Sequence, residues 1–367
     1  MKKKHIFLIL LAIITITVAI NRISILERIL PQAIEARFTG NYIETLEDGL
    51  HMGLCGSGGP MPSFSRSGPC VVAIAGGKTF IFDAGTNGAR NFGLMQLDFS
   101  TIEAVFITHM HSDHIDGLGE LSLFHWVGGQ KKKPLKVYGP PGINHVVEGF
   151  NMAYSQDSVY RNLHHGEDVA SIPGFGMIPV PFDFSGEKQS TEVFNENGVK
   201  VDAFLVDHAP ASPAVGYKIS YKGRSAVISG DTSKNKNLEM QAANVDLLIH
   251  SGLSPKLLKM MRDAAERVGN NAQAKIFHDV LDYHTYPYQA AEIARDAKVK
   301  HLLFYHIVPP LDAPGLKTLW IADAKRIFKN YTIGEDGTLI SLPANSNKIE
   351  IISCLLYTSP SPRDGTS

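Results

Sequence analysis

Thr108-His109-Met110-His111-Ser112-Asp113-His114 follows directly on the apolar run Ala104-Val105-Phe106-Ile107 and opens a helix-like segment at Ile115. Within it His109, His111, Asp113 and His114 can each ligate a metal. A loop leaving the end of a strand turns alternate side chains toward one point, and a helix start fixes the next Asp and His beside them. The plain alternative is a solvated polar loop, and the residues downstream weigh against it. His208 follows Ala203-Phe204-Leu205-Val206, Asp231 follows Ala226-Val227-Ile228-Ser229-Gly230, and His306 follows Leu302-Leu303-Phe304-Tyr305. The carboxyl ends of strands in a layered α/β fold share one rim of the sheet, so such residues converge although distant in sequence. One histidine of this kind would read as a hydrogen-bonded core residue; three such endings beside a histidine-rich loop read as a metal cluster.

Outward from this stretch, from about Thr39, short apolar runs ending in polar or glycine-rich turns alternate with helical patterns, which is an α/β reading. Strands are predicted over 70–75, 79–82, 104–107, 135–138, 200–206, 215–221, 225–228, 245–249 and 301–305, and helices over 114–126, 255–268, 287–297 and 322–329. Tyr221-Lys222-Gly223-Arg224-Ser225 and Glu335-Asp336-Gly337-Thr338 read as hairpin turns. No repeat, heptad or low-complexity linker divides the region, so one domain over 39–343 is expected, preceded by a linker over 21–38 and followed by a tail over 344–353. The segment 143–181 is the least regular, either a helix packed on the core or a wall over a pocket.

With 367 residues, 44% of them hydrophobic, the chain can bury a substantial core. Lys+Arg at 35 against Asp+Glu at 36 leaves a formal charge of -1, so no global field draws it to a polyanion and nucleic acid is not expected as a partner. Lys2-Lys3-Lys4 before the apolar run Ile6 to Ile20 has the form of an export signal (residues 1–20). The run is shorter than the about 20 residues of a full span. Cleavage and retention as an anchor both stay open, the membrane is touched only through this segment, and the domain is expected outside the cytoplasm, periplasmic or secreted. Residues 354–367, from Cys354-Leu355-Leu356-Tyr357, read as the translation of a sequencing adapter, which leaves Cys55 and Cys70 either as one disulfide or as two unpaired small residues.

Taken together, the chain resembles the metallo-β-lactamase fold superfamily, in its ribonuclease Z and arylsulfatase-like branch. The motifs that carry the resemblance are His109 to His114, Asp83-Ala84-Gly85, Val206-Asp207-His208, Ser229-Gly230-Asp231-Thr232, His284-Thr285 and Tyr305-His306, in the family's order. It implies an α/β fold of four layers, αββα, with two packed mixed sheets flanked by helices. It further implies that His109, His111 and His208 hold one metal, that Asp113, His114 and His306 hold the other, and that Asp231 bridges them. Asp83 would orient ligands. The cofactor expected is two divalent ions, zinc first and manganese or iron as alternatives. The implied chemistry is ester hydrolysis by a metal-activated hydroxide, with Asp113 in the machinery, His284 as the proton donor to the leaving oxygen, and His250 as a further catalytic candidate.

Two departures separate the chain from the RNA-processing members. Ser251 follows His250 where ribonuclease Z carries a glutamate, and only the short basic Gly128-Gly129-Gln130-Lys131-Lys132-Lys133 stands where a long tRNA-binding arm would be. The expectation is therefore a small-molecule phosphodiester or sulfate ester as substrate, with tRNA 3′ processing and lactone or thioester hydrolysis as alternatives. A homodimer is in keeping with the family.

Overall fold

An eight-stranded and a seven-stranded sheet form the body of the protein, in a computed structural model that describes residues 2–39, 41–184 and 188–353. The adapter-like segment 354–367 lies outside the described residues. The first sheet holds β1 (Gly49–Gly56), β2 (Cys70–Ala75), β3 (Lys78–Phe82), β4 (Ile102–Phe106), β5 (Leu135–Gly139), β6 (Met177–Pro181), β14 (Thr338–Pro343) and β15 (Glu350–Ser353). Its strand order is β15-β14-β1-β2-β3-β4-β5-β6, antiparallel up to β3 and parallel beyond it. The second holds β7 (Ser190–Glu196), β8 (Val199–Val206), β9 (Ala214–Tyr221), β10 (Arg224–Ile228), β11 (Leu247–Leu253), β12 (His301–Val308) and β13 (Tyr331–Ile333). Its order is β13-β12-β11-β10-β9-β8-β7, with β10 to β13 parallel and the rest antiparallel.

Period-2 alternation decides which face of each strand meets which layer. Ala226 and Ile228, Leu247 and Ile249, and Leu303 and Tyr305 point between the sheets, against Leu50, Met52, Val71, Ala73, Phe80 and Phe82 of the first. The residues between them, Val227, Leu248, Leu302 and Phe304, face outward and are covered by Ala290, Ala291, Ile293 and Ala294 of the helix Pro287–Asp296. Both faces of β10 to β12 are thus buried, which is why these strands read as unbroken apolar runs rather than alternating ones. Two mixed sheets flanked by helices make this the αββα arrangement expected. The β9–β10 turn is the two-residue Lys222-Gly223, both at positive φ (45° and 77°), the geometry that matches the twist of a hairpin.

Several elements differ from the sequence reading. Helix 114–126 is divided into Ser112–Ile115, Leu118–Leu123 and a wider π turn, Phe124–Gly128. The irregular segment is a helix over Ile143–Val169, with Gly166 breaking the helical dihedrals near its end. Cys55 and Cys70, at the end of β1 and the start of β2, are joined as a disulfide with their Cα atoms 4.9 Å apart.

The chain separates into two compact units, Met1–Tyr42 and Ile43–Ser367. The first unit is a 38-residue helix, Lys2–Thr39, that continues from the apolar run through Arg22, Glu27, Arg28 and Glu35. Among the described residues no helix is long and apolar enough to cross a membrane. A membrane-spanning anchor in the N-terminal segment is therefore not supported, and the extracytoplasmic placement expected from it is withdrawn.

Candidate metal centre

Four strand ends deliver the site. The chain leaves β4 at Phe106, and Tyr217 Oη donates to the carbonyl of Ile107 at 2.7 Å, so that tyrosine is a packed strut of the inter-sheet core and does not line a pocket. At the end of β3, Asp83 takes a left-handed backbone (φ 58°) and is fully buried. Its carboxylate accepts from Thr108 N at 2.8 Å and Thr108 Oγ1 at 2.9 Å, and lies 2.8 Å from His114 Nδ1. These bonds tie the histidine-rich loop to β3 and leave His114 Nε2 facing inward. His208, beyond β8, is set the same way, with Nδ1 3.0 Å from the carbonyl of Tyr283. Asp231 follows Gly230, whose φ of +61° and 2.6 Å clearance to the carbonyl of Val215 leave no room for a side chain.

His306 sits inside β12, where Tyr305 pairs with Ser251 and Ile307 with Gly252, so His306 is the extra residue of a bulge. Its φ of 44° is a left-handed conformation that a histidine adopts only where its surroundings dictate it. The bulge turns the imidazole out of the strand alternation and into the cluster. The loop between β1 and β2 (residues 57–69) backs it: a Cβ on Gly59 would stand 2.9 Å from His306 Cε1, and the carbonyl of Ser57 accepts from Ile307 N. Asp336 holds that loop, accepting from Ser57 N, Ser57 Oγ, Ser67 N and Asn91 Nδ2.

The ligating atoms converge in overlapping groups: His109, His111 and His208; His109, His114 and Asp231; Asp113, His114 and His306; and His208, Asp231 and His284. Within each group they lie within 4.8 Å of one another. His109 Nε2 is 2.9 Å and His208 Nε2 3.3 Å from His111 Nδ1. On the other side His306 Nε2 is 3.2 Å from Asp113 Oδ2 and 3.1 Å from Asp231 Oδ2, and His114 Nε2 is 3.4 Å from Asp231 Oδ2. Donors about 2.0–2.1 Å from a tetrahedral cation are separated by roughly 3.3 Å, so these spacings are those of a coordination shell. Buried His114 Nε2 and Asp231 Oδ1 have no hydrogen-bond partner, and such groups are costly unless a cation takes their lone pairs.

Burial holds His109 well below and His208 below the ordinary imidazole value, which keeps them neutral, the form that ligates. Burial would raise Asp231, but His306 and His114 overcome it and hold the carboxyl well below the usual range. Burial likewise would lower His114, and Asp83 and Asp231 overcome it and hold it well above. Five imidazoles and two carboxylates in two adjoining sets fit two divalent cations, with Asp231 common to both.

Of the other predicted site residues, His284 lies at the edge of the cluster, its Nδ1 3.9 Å from Asp231 Oδ2, and burial pushes it down to about 3. His250 is fully buried within β11, its Nδ1 2.8 Å from the carbonyl of Ser251, and burial lowers it to about 4. It belongs to none of the converging groups. Tyr283, which the sequence reading passed over, packs its ring against His208 and His284 at centroid distances of 4.8 and 4.7 Å. Its position directly before His284 was the only signal.

Residues 65–277 match the family model of the metallo-beta-lactamase superfamily. The chain is 33% identical over 290 residues to a ribonuclease Z of Mycolicibacterium gilvum, covering 78% of this chain and 94% of the relative. A ribonuclease Z of Mycobacterium marinum is 31% identical, over 76% of this chain and 93% of its own length. Among solved structures, the metallo-beta-lactamase fold protein YhfI of Bacillus subtilis superposes with a TM-score of 0.56 at 17% identity, over 80% of this chain and 99% of its own. The short form of human tRNase Z gives 0.54 at 23%, over 80% and 99%. Relatives that are ribonucleases by name overturn the expectation that nucleic acid is not a partner class. That expectation rested on a net charge near zero, and overall charge is a poor guide where a metal centre and local contacts hold the phosphate. With seven convergent candidate ligands on an αββα frame and a family match over more than half its length, the chain belongs to the metallo-β-lactamase superfamily, whose fold holds divalent metal ions.

Proposed function

We propose that this chain is a zinc-dependent phosphodiesterase of the ribonuclease Z kind, cutting RNA at tRNA 3′ ends. The observation that carries the reading is the complete two-ion ligand set on a chain that aligns with 94% of the length of a curated ribonuclease Z. His109, His111 and His208 would hold one ion, Asp113, His114 and His306 the other, and Asp231 both. When bound, two such ions supply a nucleophile from water near neutral pH and offset charge on the phosphoryl oxygens.

The chain's own residues do the rest. Asp83 presents His114 with Nε2 inward, and the Tyr283 carbonyl does the same for His208, so neither ring must reorient when substrate arrives. His284, beside Asp231 and not needed by either ligand set, is placed to pass a proton toward the leaving 3′ oxygen. His250 is too deeply buried for that role. At residue 251 a serine with no partner for its hydroxyl replaces a carboxylate, so His284 works without that support.

The test is metal analysis of the purified full chain followed by cleavage of a precursor tRNA with a 3′ trailer, alongside bis(p-nitrophenyl) phosphate and an aryl sulfate. Two ions per chain and endonucleolytic release of the trailer are expected. A protein that holds both ions and hydrolyses the aryl ester while leaving the precursor intact would refute the RNA reading and keep the two-ion phosphodiesterase.

A further inference from the structure

We propose that the phenol of Tyr283 is a substrate-contacting group that donates a hydrogen bond to a phosphoryl oxygen of the diester held at the metal centre. The inference rests on the phosphodiesterase reading above but not on RNA as the substrate.

Tyr283 does two separable things. Its backbone carbonyl takes His208 Nδ1 at 3.0 Å and so orients a ligand. Its side chain is held apart from that task, its ring edge-on to His208 (interplanar 76°) and tilted over His284 (42°). Those two contacts leave the ring half-buried, while the rings of His208 and His284 beneath it are almost wholly covered. Tyr283 therefore forms part of the mouth of the cluster. Among the described residues its hydroxyl has no hydrogen-bond partner. Tyr217 and Tyr286, by contrast, spend their hydroxyls on the carbonyls of Ile107 and Leu281, and Tyr305, whose hydroxyl is also unpartnered, is fully buried.

The next residues explain why the ring is well placed. Thr285 Oγ1 donates to the carbonyl of Thr232 at 2.7 Å, and Thr285's own carbonyl accepts from Leu253 N, so the Tyr283–Thr285 turn is tied both to the Asp231 loop and to β11. A phenol on a turn braced in this way is fixed relative to the ligands before substrate arrives, which is what makes a donor effective toward charge that builds up on a phosphoryl oxygen. A diester contributes two non-bridging oxygens. A donor at the mouth would face a phosphoryl oxygen left uncovered by ions that the ligand sets beneath it would hold.

The variant Tyr283→Phe removes the hydroxyl while keeping the ring contacts and the carbonyl; Tyr283→Ala removes the ring as well. Both are compared with wild type in the metal-loaded full chain, reading metal content, kcat and KM on bis(p-nitrophenyl) phosphate and on precursor tRNA, and equilibrium binding of diphenyl phosphate by calorimetry. The expected result is unchanged metal content in Tyr283→Phe, a fall of about 10- to 100-fold in kcat/KM, weaker binding of diphenyl phosphate, and little further loss in Tyr283→Ala. If Tyr283→Phe matches wild type in turnover and binding while Tyr283→Ala loses metal or activity, the side chain only packs on the ligands and the proposal is overturned. If wild type cleaves the aryl ester but not RNA, the RNA reading falls and the comparison stands on the aryl ester. If it cleaves neither, the binding measurement decides.

Discussion

Replacing Asp83 with Asn tests whether the cluster is organised for cations from behind. Asp83 makes three contacts, and they respond differently. An amide oxygen in place of Oδ1 still accepts from Thr108 N. The amide nitrogen in place of Oδ2 faces Thr108 Oγ1, which can rotate to accept, and His114 Nδ1, which cannot remain a donor. His114 is then driven to the tautomer with its proton on Nε2, the atom that lies 3.4 Å from Asp231 Oδ2 and 3.7 Å from Asp113 Oδ2. A ring in that tautomer has no lone pair to offer a cation. Loss of such a supporting partner lowers metal affinity about 10- to 100-fold, equivalent to about 1.4–2.8 kcal/mol at 1.4 kcal/mol per tenfold. The loss should fall on one ion, because His109, His111 and His208 take no bond from Asp83. Competition with a chromophoric chelator, resolved into tight and weak ions, reads this directly. Wild-type affinity for both ions in a folded Asp83→Asn protein would refute the reasoning, and equal weakening of both would refute the division of ligands.

Three further outcomes are expected. Asp231→Ala should weaken both ions together, since its carboxylate stands near His114, His208 and His306 alike; elemental analysis after dialysis checks this. Replacing both Cys55 and Cys70 with Ala should lower stability by about 3 kcal/mol, the chain-entropy value for a loop of about 15 residues, seen as a lower denaturation midpoint. His125, buried with Nδ1 unpartnered and held down at about 4, should make acid destabilising. The unfolded chain takes up this proton below about pH 6.5 and the folded chain only near pH 4, so stability falls as pH drops through that window, by up to about 3 kcal/mol. His125→Leu should flatten that part of a stability-against-pH curve, and an unchanged slope would show that another group titrates there.

Local chemistry made part of this protein legible at once. Four ligating side chains between His109 and His114 need no partner to be recognised, because their density within one loop is itself the signal. The candidate ligands after β8 and β10 were found by a rule of backbone geometry, that apolar strands sharing a sheet deliver their last residues to one rim. The same rule picked His306 although β12 runs on past it to Val308. The segment holding helix Ile143–Val169 stayed open between a packed helix and a pocket wall because its apolar residues follow no helical stripe, and β1 escaped because Gly49, Gly53 and Gly56 interrupt its apolar run. Apolar content over a short window also does not reveal that the N-terminal helix runs on through charged residues to Thr39.

What the sequence by itself determined is the set of candidate ligands and the layered frame, since both follow from residue type, strand periodicity and order along the chain. Only the tertiary structure decided how those ligands are aimed. The bulge that turns His306 inward arises where β12 meets β11, the carbonyl that orients His208 comes from Tyr283, and Cys55 reaches Cys70 because β1 lies against β2. Each is a contact between segments far apart in the chain, and a side chain's direction depends on the φ, tautomer and hydrogen bonds those contacts impose. No pattern of neighbours in one sequence carries that information.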